Sequence, residues 1–226
     1  MEKNNTYQMN NVLHEYNEFI RPYKDAIKLV KIRLEALDSD YGHLHKHNPI
    51  HQITNRVKSL DSILNKLAKR GYPTELEYAR DYLTDIAGIR VITYYQQDVY
   101  EVVRALKSCL DIVKECDYIK NPKKSGYRSY HLIVVVPIHY LKGVEYYPVE
   151  VQIRTLTMDC WANIEHQLHY KTLKDEFSSE ISEKFQQFSE ELNIIGLKME
   201  AIYSEQNKRN NKNNEDITLK SQGNEC

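Results

Sequence analysis

A run of five aliphatic residues at positions 132–136, four of them β-branched, constrains the fold of this chain more than any other feature. Such an uninterrupted run is typical of a central strand that is covered on both faces. Residues 147–154 instead alternate between apolar and mostly polar side chains, which predicts a strand with one buried and one polar face. With shorter strand-like stretches at 89–93 and 111–119, these patterns predict a sheet between about residues 86 and 154, with helices packed on it.

Two long helical patterns flank the predicted sheet. Between Met9 and about Asp38, apolar residues recur at steps of three and four, which predicts one amphipathic helix. Residues 176–206 carry a similar pattern whose spacing suits helix–helix pairing, so this C-terminal helix either packs on its own domain or forms a subunit interface. Shorter helices are predicted at 60–70, 75–82, 98–110 and 161–170, and a polar, histidine-rich loop at 39–48.

Length and composition indicate one domain. The chain of 226 residues is 41% hydrophobic and 28% charged, which is enough for a buried core over residues 1–206. Residues 207–226 are rich in Asn, Lys and Glu, and we expect them to be a disordered tail. The longest apolar run is far shorter than the roughly 20 residues of a membrane helix, and the N-terminus is too polar for a signal peptide, so we expect a cytoplasmic protein.

The cysteines and histidines predict no structural metal site or disulfide. The four cysteines show no CxxC spacing that would indicate zinc binding or a disulfide framework. Four histidines crowd into residues 43–51, but no cysteine or acid stands among them to complete a metal shell. With a net charge of −1, any attraction for nucleotides has to come from a local basic patch.

Residues 56–70 form the first basic cluster. If this segment is helical, Lys58, Ser62, Lys66 and Lys69 lie on the face opposite its leucines. Ammonium groups in such a row can hold the charges of a polyphosphate chain in line. A solvated helix face without a ligand gives the same pattern, so the segment alone leaves both interpretations open.

Residues 120–131 form the second basic cluster, which contains no acid. It joins a turn containing Pro and Gly to three lysines and one arginine interleaved with tyrosines, directly before the most apolar strand. A tyrosine ring such as that of Tyr127 can stack on a base while neighbouring Lys and Arg side chains contact phosphates. A basic hairpin loop without a ligand is an equally good interpretation of the composition alone.

Acidic side chains complete the candidate chemistry. Alternation places Glu150, Gln152 and Arg154 together on the polar face of their strand, which is either an exposed face or the wall of an active site. Asp85 stands just before the strand that carries Arg90. Because Mg²⁺ binds one or two carboxylates and leaves its other positions to water and phosphates, Asp85 and Glu150 could hold this ion together.

Five short strings closely resemble, in wording and order, the synthetase domain of the RelA/SpoT homologue family, in its branch of small alarmone synthetases. The strings are Arg-Val-Lys at 56–58, Asp-Ile-Ala-Gly-Ile-Arg at 85–90, Ser-Gly-Tyr-Arg-Ser-Tyr-His at 125–131, Glu-Val-Gln-Ile-Arg-Thr at 150–155 and Trp-Ala-Asn-Ile-Glu-His at 161–166. The resemblance spans roughly residues 16–188. It implies an α/β (α+β) fold with a nucleotidyltransferase-like mixed sheet of about five strands, flanked by helices that include long N- and C-terminal ones.

The resemblance also implies an activity and a set of residue roles. The protein would be a GTP diphosphokinase that uses Mg²⁺ to move the β,γ-pyrophosphate of ATP to the 3′-hydroxyl of GMP, GDP or GTP, making (p)ppGpp-type alarmones of the stringent response. The implied ATP-binding residues are Arg56, Lys58, Ser62, Lys66, Lys69 and Arg90. The implied guanine-nucleotide residues are Lys123, Tyr127, His131, Gln152 and Asp159. The implied catalytic residues are Glu150, Lys66 and Arg56, and the implied Mg²⁺ ligands are Asp85 and Glu150.

Two other functions stay open at this point. A toxin-like relative would modify the tRNA 3′ end with the same donor site, although Tyr127 and Asp159 favour a free guanine nucleotide. A non-enzymatic RNA-binding regulator would use the basic loop at 120–128, against which the near-neutral net charge argues. We also expect a homo-oligomer, a tetramer above other sizes, assembled through the C-terminal helix. We expect no hydrolase activity, because the chain contains no His-Asp pair.

Overall fold

The structure is a computed structural model that describes residues 2–45, 47–171 and 179–222. Its helices and strands follow one another as α1 (Glu2–His45), β1 (Ile50–Val57), α2 (Leu60–Lys69), α3 (Leu76–Tyr82), β2 (Ala87–Thr93), α4 (Gln96–Cys109), β3 (Asp111–Asp117), β4 (Tyr130–Tyr140), β5 (Gly143–Thr155), α5 (Leu156–Lys171) and α6 (Ser179–Gln222). The predicted helices and strands are all present, most of them with shifted ends.

Five strands form one mixed sheet in the order β1-β2-β5-β4-β3. β2 and β5 pair in parallel, whereas the pairs β1–β2, β4–β5 and β3–β4 are antiparallel. The predicted mixed sheet is therefore confirmed, as are the long helices at both ends of the chain. The sheet nevertheless begins earlier in the chain than the predicted residue 86, because β1 is an edge strand whose mostly exposed residues give no clear hydrophobic alternation.

The aliphatic run at 132–136 lies inside β4, and it is buried as predicted except at Val135, which is partly exposed. Leu132 and Val134 are fully buried, and Ile133 and Val136 are nearly so. The alternation of β5 is also confirmed, because its aliphatic residues at 149, 151 and 153 are fully buried while those at 150 and 152 are half-buried. Strand β5 therefore separates a dry face from a polar one.

Helix α1 is longer at both ends than the helix predicted over residues 9–38, and it replaces most of the predicted loop at 39–48. Asp38 does not end the helix. Its carboxylate accepts hydrogen bonds from the backbone N–H of Ile50 (2.9 Å) and from the side chain of Asn48 (3.0 Å), which ties the following turn back onto α1.

Only part of α1 faces the core. Its buried apolar residues are Ile20, Tyr23, Ala26, Ile27, Val30 and Leu34. Val12 and Leu13 fit the same periodicity, yet they are 47% and 51% exposed. Periodicity alone thus predicts the buried stripe of a helix without telling which of its turns meet the sheet.

Helix α2 begins at residue 60, as predicted, so of the row Lys58, Ser62, Lys66 and Lys69 only Lys58 lies outside the helix. Arg56 belongs to β1, and the backbone N–H of Lys58 donates to the carbonyl oxygen of Ile86 at 2.8 Å, next to the start of β2. The side chain of Ser59 accepts a hydrogen bond from the N–H of Ser62 and caps α2. A serine cap sets the helix start here, because it satisfies an N–H group that would otherwise have no partner.

The crowded histidines serve as local contacts. His47 Nε2 lies 3.0 Å from Oδ1 of Asp98, and the other oxygen of this buried carboxylate accepts a hydrogen bond from the backbone N–H of Tyr95 at the start of α4. His51 contacts the hydroxyl of Tyr94 at 3.3 Å. Within the ranges that the structure describes, these histidines belong to no group of three or more His, Cys, Asp or Glu side chains that could hold a metal ion.

Helix α6 spans Ser179–Gln222, and the start predicted for it at residue 176 lies outside the described residues. The disordered tail expected from residue 207 stays a prediction. Several apolar residues that recur at steps of three and four along α6 are exposed, namely Ile181, Phe188, Ile195, Met199 and Ile202. Across the described ranges, every helix is too short or too polar to cross a membrane.

The assignment of the buried stripe of α1 is testable with two identical substitutions. Leu34 is fully buried and Leu13 is half-exposed. We expect Leu34→Ala to lower the free energy of unfolding by about 2–5 kcal/mol, because it leaves a cavity in the core. Leu13→Ala should change it by less than about 0.5 kcal/mol. Chemical denaturation followed by circular dichroism measures both, and equal losses would contradict the assignment.

Candidate active site

Pairing of β1, β2 and β5 sets polar residues of three strands side by side. Arg56 is paired with Gly88, and Gly88 with Glu150. Two residues along the same strands, Arg90 is paired with Gln152. Because residues paired across neighbouring strands point to the same face, these side chains share one face of the sheet.

Gly88 leaves an opening between the side chains of Arg56 and Glu150. A cavity of about 140 Å³ lies there, lined by Thr54, Asn55, Arg56, Gly88, Ile89, Arg90, Glu150 and Gln152. Arg56 is exposed and Arg90 is half-buried, so both guanidinium groups can meet a ligand. Planar guanidinium groups stack well on flat aromatic rings, which suits this cavity to a nucleobase.

The carboxylate of Asp85 binds the ammonium groups of two lysines near Arg56 and Glu150. Its Oδ2 atom accepts hydrogen bonds from Lys58 Nζ, at 2.6 Å, and from Lys66 Nζ. The other oxygen, Oδ1, is buried and has no hydrogen-bond partner in the part of the chain that the structure describes. Asp85 therefore binds two ammonium groups through Oδ2, while Oδ1 accepts no hydrogen bond from the described residues.

Two lysines share one carboxylate in this cluster, which leaves an excess of positive charge, and burial and these charges shift the pKa values of both partners. Burial raises the pKa of Asp85, but the hydrogen bonds from Lys58 and Lys66 outweigh burial, so the pKa lies below its usual value. The pKa of Lys58 is lowered as well, because burial and the nearby charges of Lys66 and Arg56 outweigh its pairing with the carboxylate. The surroundings thus favour the charged form of the Asp85 carboxylate and disfavour the charged form of the Lys58 ammonium group. An additional anion, such as a polyphosphate, would relieve the excess.

Glu150 is held at both carboxylate oxygens. His131 Nδ1 lies 3.3 Å from Oε1, and Gln152 Nε2 donates a hydrogen bond to Oε2 at 2.8 Å. Burial raises the pKa of Glu150, but the contacts with His131 and Gln152 outweigh it, so the pKa lies below its usual value. Glu150 is therefore an oriented and ionised carboxylate, the state that a general base requires.

The β3–β4 loop (residues 118–129) continues this network to Tyr127. The hydroxyl of Tyr127 lies 2.8 Å from Nε2 of His131, the ring nitrogen opposite the one that faces Glu150. Lys123 Nζ lies 4.7 Å from the ring centre of Tyr118 and 4.8 Å from that of Tyr127, in two cation–π contacts. Burial raises the pKa of Tyr127, so its phenol is neutral at physiological pH. A chain of contacts thus runs from Glu150 through His131 to Tyr127.

Asp159 on α5 lies close to two arginines, Arg154 on β5 and Arg90 on β2. Its Oδ1 atom lies 3.2 Å from Arg154 Nε and 3.6 Å from Arg90 Nη1. Its Oδ2 atom accepts a hydrogen bond from Asn163 Nδ2 at 2.8 Å. Arg154 is almost fully buried, and burial lowers its pKa although Tyr127 and Asp159 oppose the shift. These contacts hold the carboxylate of Asp159 beside Arg90.

Most of the site residues predicted from the sequence lie in one site. Register or direct contact links Arg56, Arg90, Lys123, Tyr127, His131, Glu150, Gln152 and Asp159. Lys58, Lys66 and Asp85 form a second group, which is near enough for the charge of Asp85 to act on Glu150. Ser62 and Lys69 are exposed on α2, where the Ser62 hydroxyl contacts that of Ser59 at 2.8 Å. The structure therefore does not join these two residues to the rest.

The sequence does not assign Gly88 and Asn163 to the site, and it places Arg154 on the polar face of its strand, with both an exposed face and an active-site wall left open. Gly88 lies between Arg56 and Glu150 in the sheet. The spacing of Asp159 and Asn163, one helical turn apart, is a signal that could have found Asn163. The sequence did not indicate that Arg154 is buried, because alternation along β5 fits an exposed face equally well.

Comparisons with known proteins agree with this geometry. Residues 55–175 match the family model described as a region found in RelA/SpoT proteins. GTP pyrophosphokinase YwaC of Bacillus subtilis (strain 168) is 36% identical over 196 residues, which cover 86% of this chain and 93% of YwaC. A crystal structure of small alarmone synthetase 1 from B. subtilis with its product pppGpp has a TM-score of 0.77 and 34% identity, covering 84% of this chain and 97% of that chain. A crystal structure of the same synthetase with AMPCPP has a TM-score of 0.71 and 32% identity, and the match covers 86% of this chain and 99% of that chain.

The matched region extends from the end of β1 through α5, so it contains all of the connected site residues. Fold and site together define a nucleotide-dependent transferase. The chain belongs to the RelA/SpoT family, and its resemblance to the small alarmone synthetases is confirmed.

Asp85 leads to a prediction about stability and pH. Because its folded-state pKa lies below its ordinary value of about 3.8, its charge stabilises the fold above that pH, and the contribution is lost as the pH falls through the lowered pKa. We expect Asp85→Asn to lower the free energy of unfolding by about 1–3 kcal/mol at pH 7. The difference from the unmodified protein should shrink below about pH 4.

Urea denaturation between pH 7 and pH 3 measures this difference. Asp111→Asn, at an exposed position, is the matched control and should stay within about 0.5 kcal/mol of the unmodified protein throughout. A difference for Asp85→Asn that does not change with pH would contradict the ionic role of Asp85.

Proposed function

We propose that this protein is a GTP pyrophosphokinase, which transfers the β,γ-pyrophosphate of ATP to the 3′-hydroxyl of a guanine nucleotide. Its relatives support this proposal, since YwaC is a GTP pyrophosphokinase and small alarmone synthetase 1 has been crystallised with pppGpp and with AMPCPP. The observation that carries it is the oriented carboxylate of Glu150, which lies between a basic side and an aromatic side. ATP and guanine nucleotides are cytoplasmic, and we infer the same location for the protein.

The basic side is suited to ATP. Adenine would stack between the guanidinium groups of Arg56 and Arg90, and Lys58 and Lys66 would neutralise the phosphates. The excess of positive charge around Asp85 favours this arrangement. We propose Ser62 and Lys69 as further phosphate contacts, because they lie on the same helix as Lys66.

The aromatic side is suited to the guanine nucleotide. Tyr127 would stack on the base, and the carboxylate of Asp159 can accept both N1–H and N2–H of guanine. Lys123 and His131 would contact the phosphates of the acceptor, and Gln152 would orient it. Because Lys123 lies over the ring of Tyr127, this lysine has to move aside when the base stacks on that face.

In the proposed reaction, the 3′-oxygen of the acceptor forms a bond to the β-phosphorus of ATP. The bond from that phosphorus to the oxygen bridging it to the α-phosphate breaks, so AMP leaves. Glu150 accepts the proton of the 3′-hydroxyl, and its lowered pKa keeps it ionised for this step. Arg56 and Lys66 stabilise the negative charge of the transferring group.

The carboxylates of Asp85 and Glu150 fit a Mg²⁺ ion. Mg²⁺ prefers hard oxygen ligands, and one buried oxygen of Asp85 has no hydrogen-bond partner in the described part of the chain. The two carboxylates are near enough for the charge of Asp85 to act on the pKa of Glu150. We infer that they hold the ion, which would neutralise phosphate charge when bound.

Replacement of Glu150 tests the proposed function. We expect Glu150→Gln to lower kcat by about 10²–10⁴-fold, because it removes the general base. Glu145→Gln, on the same strand at an exposed pair with Arg80, should stay within about twofold of the unmodified protein. The assay uses Mg²⁺, γ-labelled ATP and GMP, GDP or GTP in turn, and measures label in guanosine 3′-pyrophosphates.

The same assay separates the two other functions. Label that goes only to added tRNA would make the protein a tRNA 3′-end pyrophosphokinase. Absence of transfer to any acceptor would favour the RNA-binding regulator, whose affinity should depend strongly on salt. The structure argues against this last function, because Arg128 of the basic loop is already paired with Glu190.

We infer that the protein forms a homo-oligomer through α6. Exposed apolar residues recur along this helix, among them Phe188, Ile195, Met199 and Ile202, which are 44–70% exposed. A contiguous apolar stripe on a charged helix marks an interaction surface. The same helix of a second copy presents a matching stripe, as a two-fold interface requires. A tetramer needs a further interface and stays our prediction for the size.

A single charge tests the role of this stripe. Ile202→Glu would place a carboxylate in the apolar interface and should shift the protein to a smaller species, because a buried, unpaired charge is strongly unfavourable. Ala201→Glu adds the same charge at an exposed neighbour on a different side of the helix and should leave the size unchanged. Size-exclusion chromatography with light scattering measures both. An unchanged size for Ile202→Glu would contradict assembly through α6.

A further inference from the structure

The β3–β4 loop is fastened to α6 on both sides of Tyr127. Ser189 on α6 is 5% exposed, and its hydroxyl donates a hydrogen bond to the carbonyl oxygen of Gly126 at 2.5 Å. The next residue of α6, Glu190, is paired with the guanidinium group of Arg128. The residues before and after Tyr127 in the chain are thus both held by α6.

Contact between the loop and the helix is close at Gly126. The backbone of this residue has φ of +94°, which favours glycine. A Cβ atom at this position would lie 2.8 Å from Cβ of Ser189 and 3.1 Å from Cα of Gln186. Because the second atom belongs to the helix backbone, it cannot move aside without displacing α6. The loop therefore lies directly against the helix.

The loop is also a compact unit in itself. The backbone N–H of Gly126 donates to the carbonyl oxygen of Lys123 at 2.8 Å. The backbone N–H of Lys123 in turn donates to the carbonyl oxygen of Tyr127 at 3.2 Å. At the base of the loop, Arg128 Nη1 donates to the carbonyl oxygen of Ile119 at 3.1 Å. Fixing Gly126 and Arg128 consequently orients the whole turn, including the ring of Tyr127.

Helix α6 has anchors of its own on either side of this contact. Trp161 on α5 donates its indole N–H to the carbonyl oxygen of Phe185 at 2.8 Å. The carboxylate of Glu200 accepts the backbone N–H groups of Gln96 and Gln97, at 2.9 and 3.2 Å, where α4 begins. An N-terminal helix end favours a carboxylate, so this contact is stabilising. The segment between Phe185 and Glu200 is thus a fixed support for the loop.

We propose that Ser189 and Glu190 are positioning residues that preset Tyr127 for the guanine base of the acceptor. This inference rests on the proposed function, in which Tyr127 stacks on that base. A ligand that meets a preorganised loop loses less conformational entropy, so the contact favours binding of the acceptor. Apart from Arg90 on the adjacent strand β2, the donor residues lie on β1, in the turn after it and on α2, whereas the β3–β4 loop lies at the other edge of the sheet, so we expect the effect to be specific to the acceptor.

Steady-state kinetics with GDP as acceptor tests the proposal. We expect Ser189→Ala and Glu190→Gln each to raise the KM for GDP by about three- to tenfold, the effect of losing one hydrogen bond or ion pair. The KM for ATP should stay within about twofold. Glu191→Gln is the matched control, since this adjacent carboxylate bonds within the helix to Gln187 at 2.9 Å and should change neither value. An unchanged KM for GDP, or an equal rise for ATP, would overturn the proposal.

Hydrogen–deuterium exchange of the free protein provides a second readout that needs no activity. Ser189→Ala and Glu190→Gln should speed exchange of the amides at 120–129, while peptides from β5 and the Glu191→Gln variant exchange as in the unmodified protein. Unchanged exchange at 120–129 in both variants overturns the role of α6. Absence of pyrophosphate transfer by the unmodified protein would instead reject the proposed function, so the two failures are distinguishable.

Discussion

Parallel pairing of β2 with β5 is the constraint on which the rest of the site depends. On one face of this pair Gly88 stands beside Glu150, and on the other face buried Ile89 stands beside buried Val151. A slip of one residue would send the carboxylate into the core and the aliphatic residues into the cavity. Burial of the apolar face therefore fixes the register, and the register in turn decides where the chemistry lies.

Electrostatics divides this face into two sides with different ligand preferences. Near β1, two lysines share the carboxylate of Asp85, which leaves positive charge in excess and favours a polyphosphate. Near β4, the phenol of Tyr127 is neutral and offers a ring for stacking. Glu150 lies between them and is held in its charged form by His131 and Gln152. The carboxylate of Glu150 can thus act on ligands bound at both sides.

Helix α6 combines two tasks on two of its faces. Ser189 is buried against the β3–β4 loop, whereas Ile202 and the other residues of the apolar stripe remain exposed. The helix that we infer to join subunits is then also the helix that supports Tyr127. Because both faces belong to one rigid element, its anchoring at Glu200 and at Phe185 matters for either task.

The sequence by itself determined the local features of this protein. The aliphatic run of β4, the alternation that puts Glu150 and Gln152 on one face, and the motifs of the family were all readable, because they depend on neighbours in the chain. Only the tertiary structure decided that Arg56 lies on an edge strand, that Arg154 is buried, and that Ser189 meets Gly126, a residue 63 positions away. Such contacts follow from the packing of distant segments, for which local periodicity carries no information.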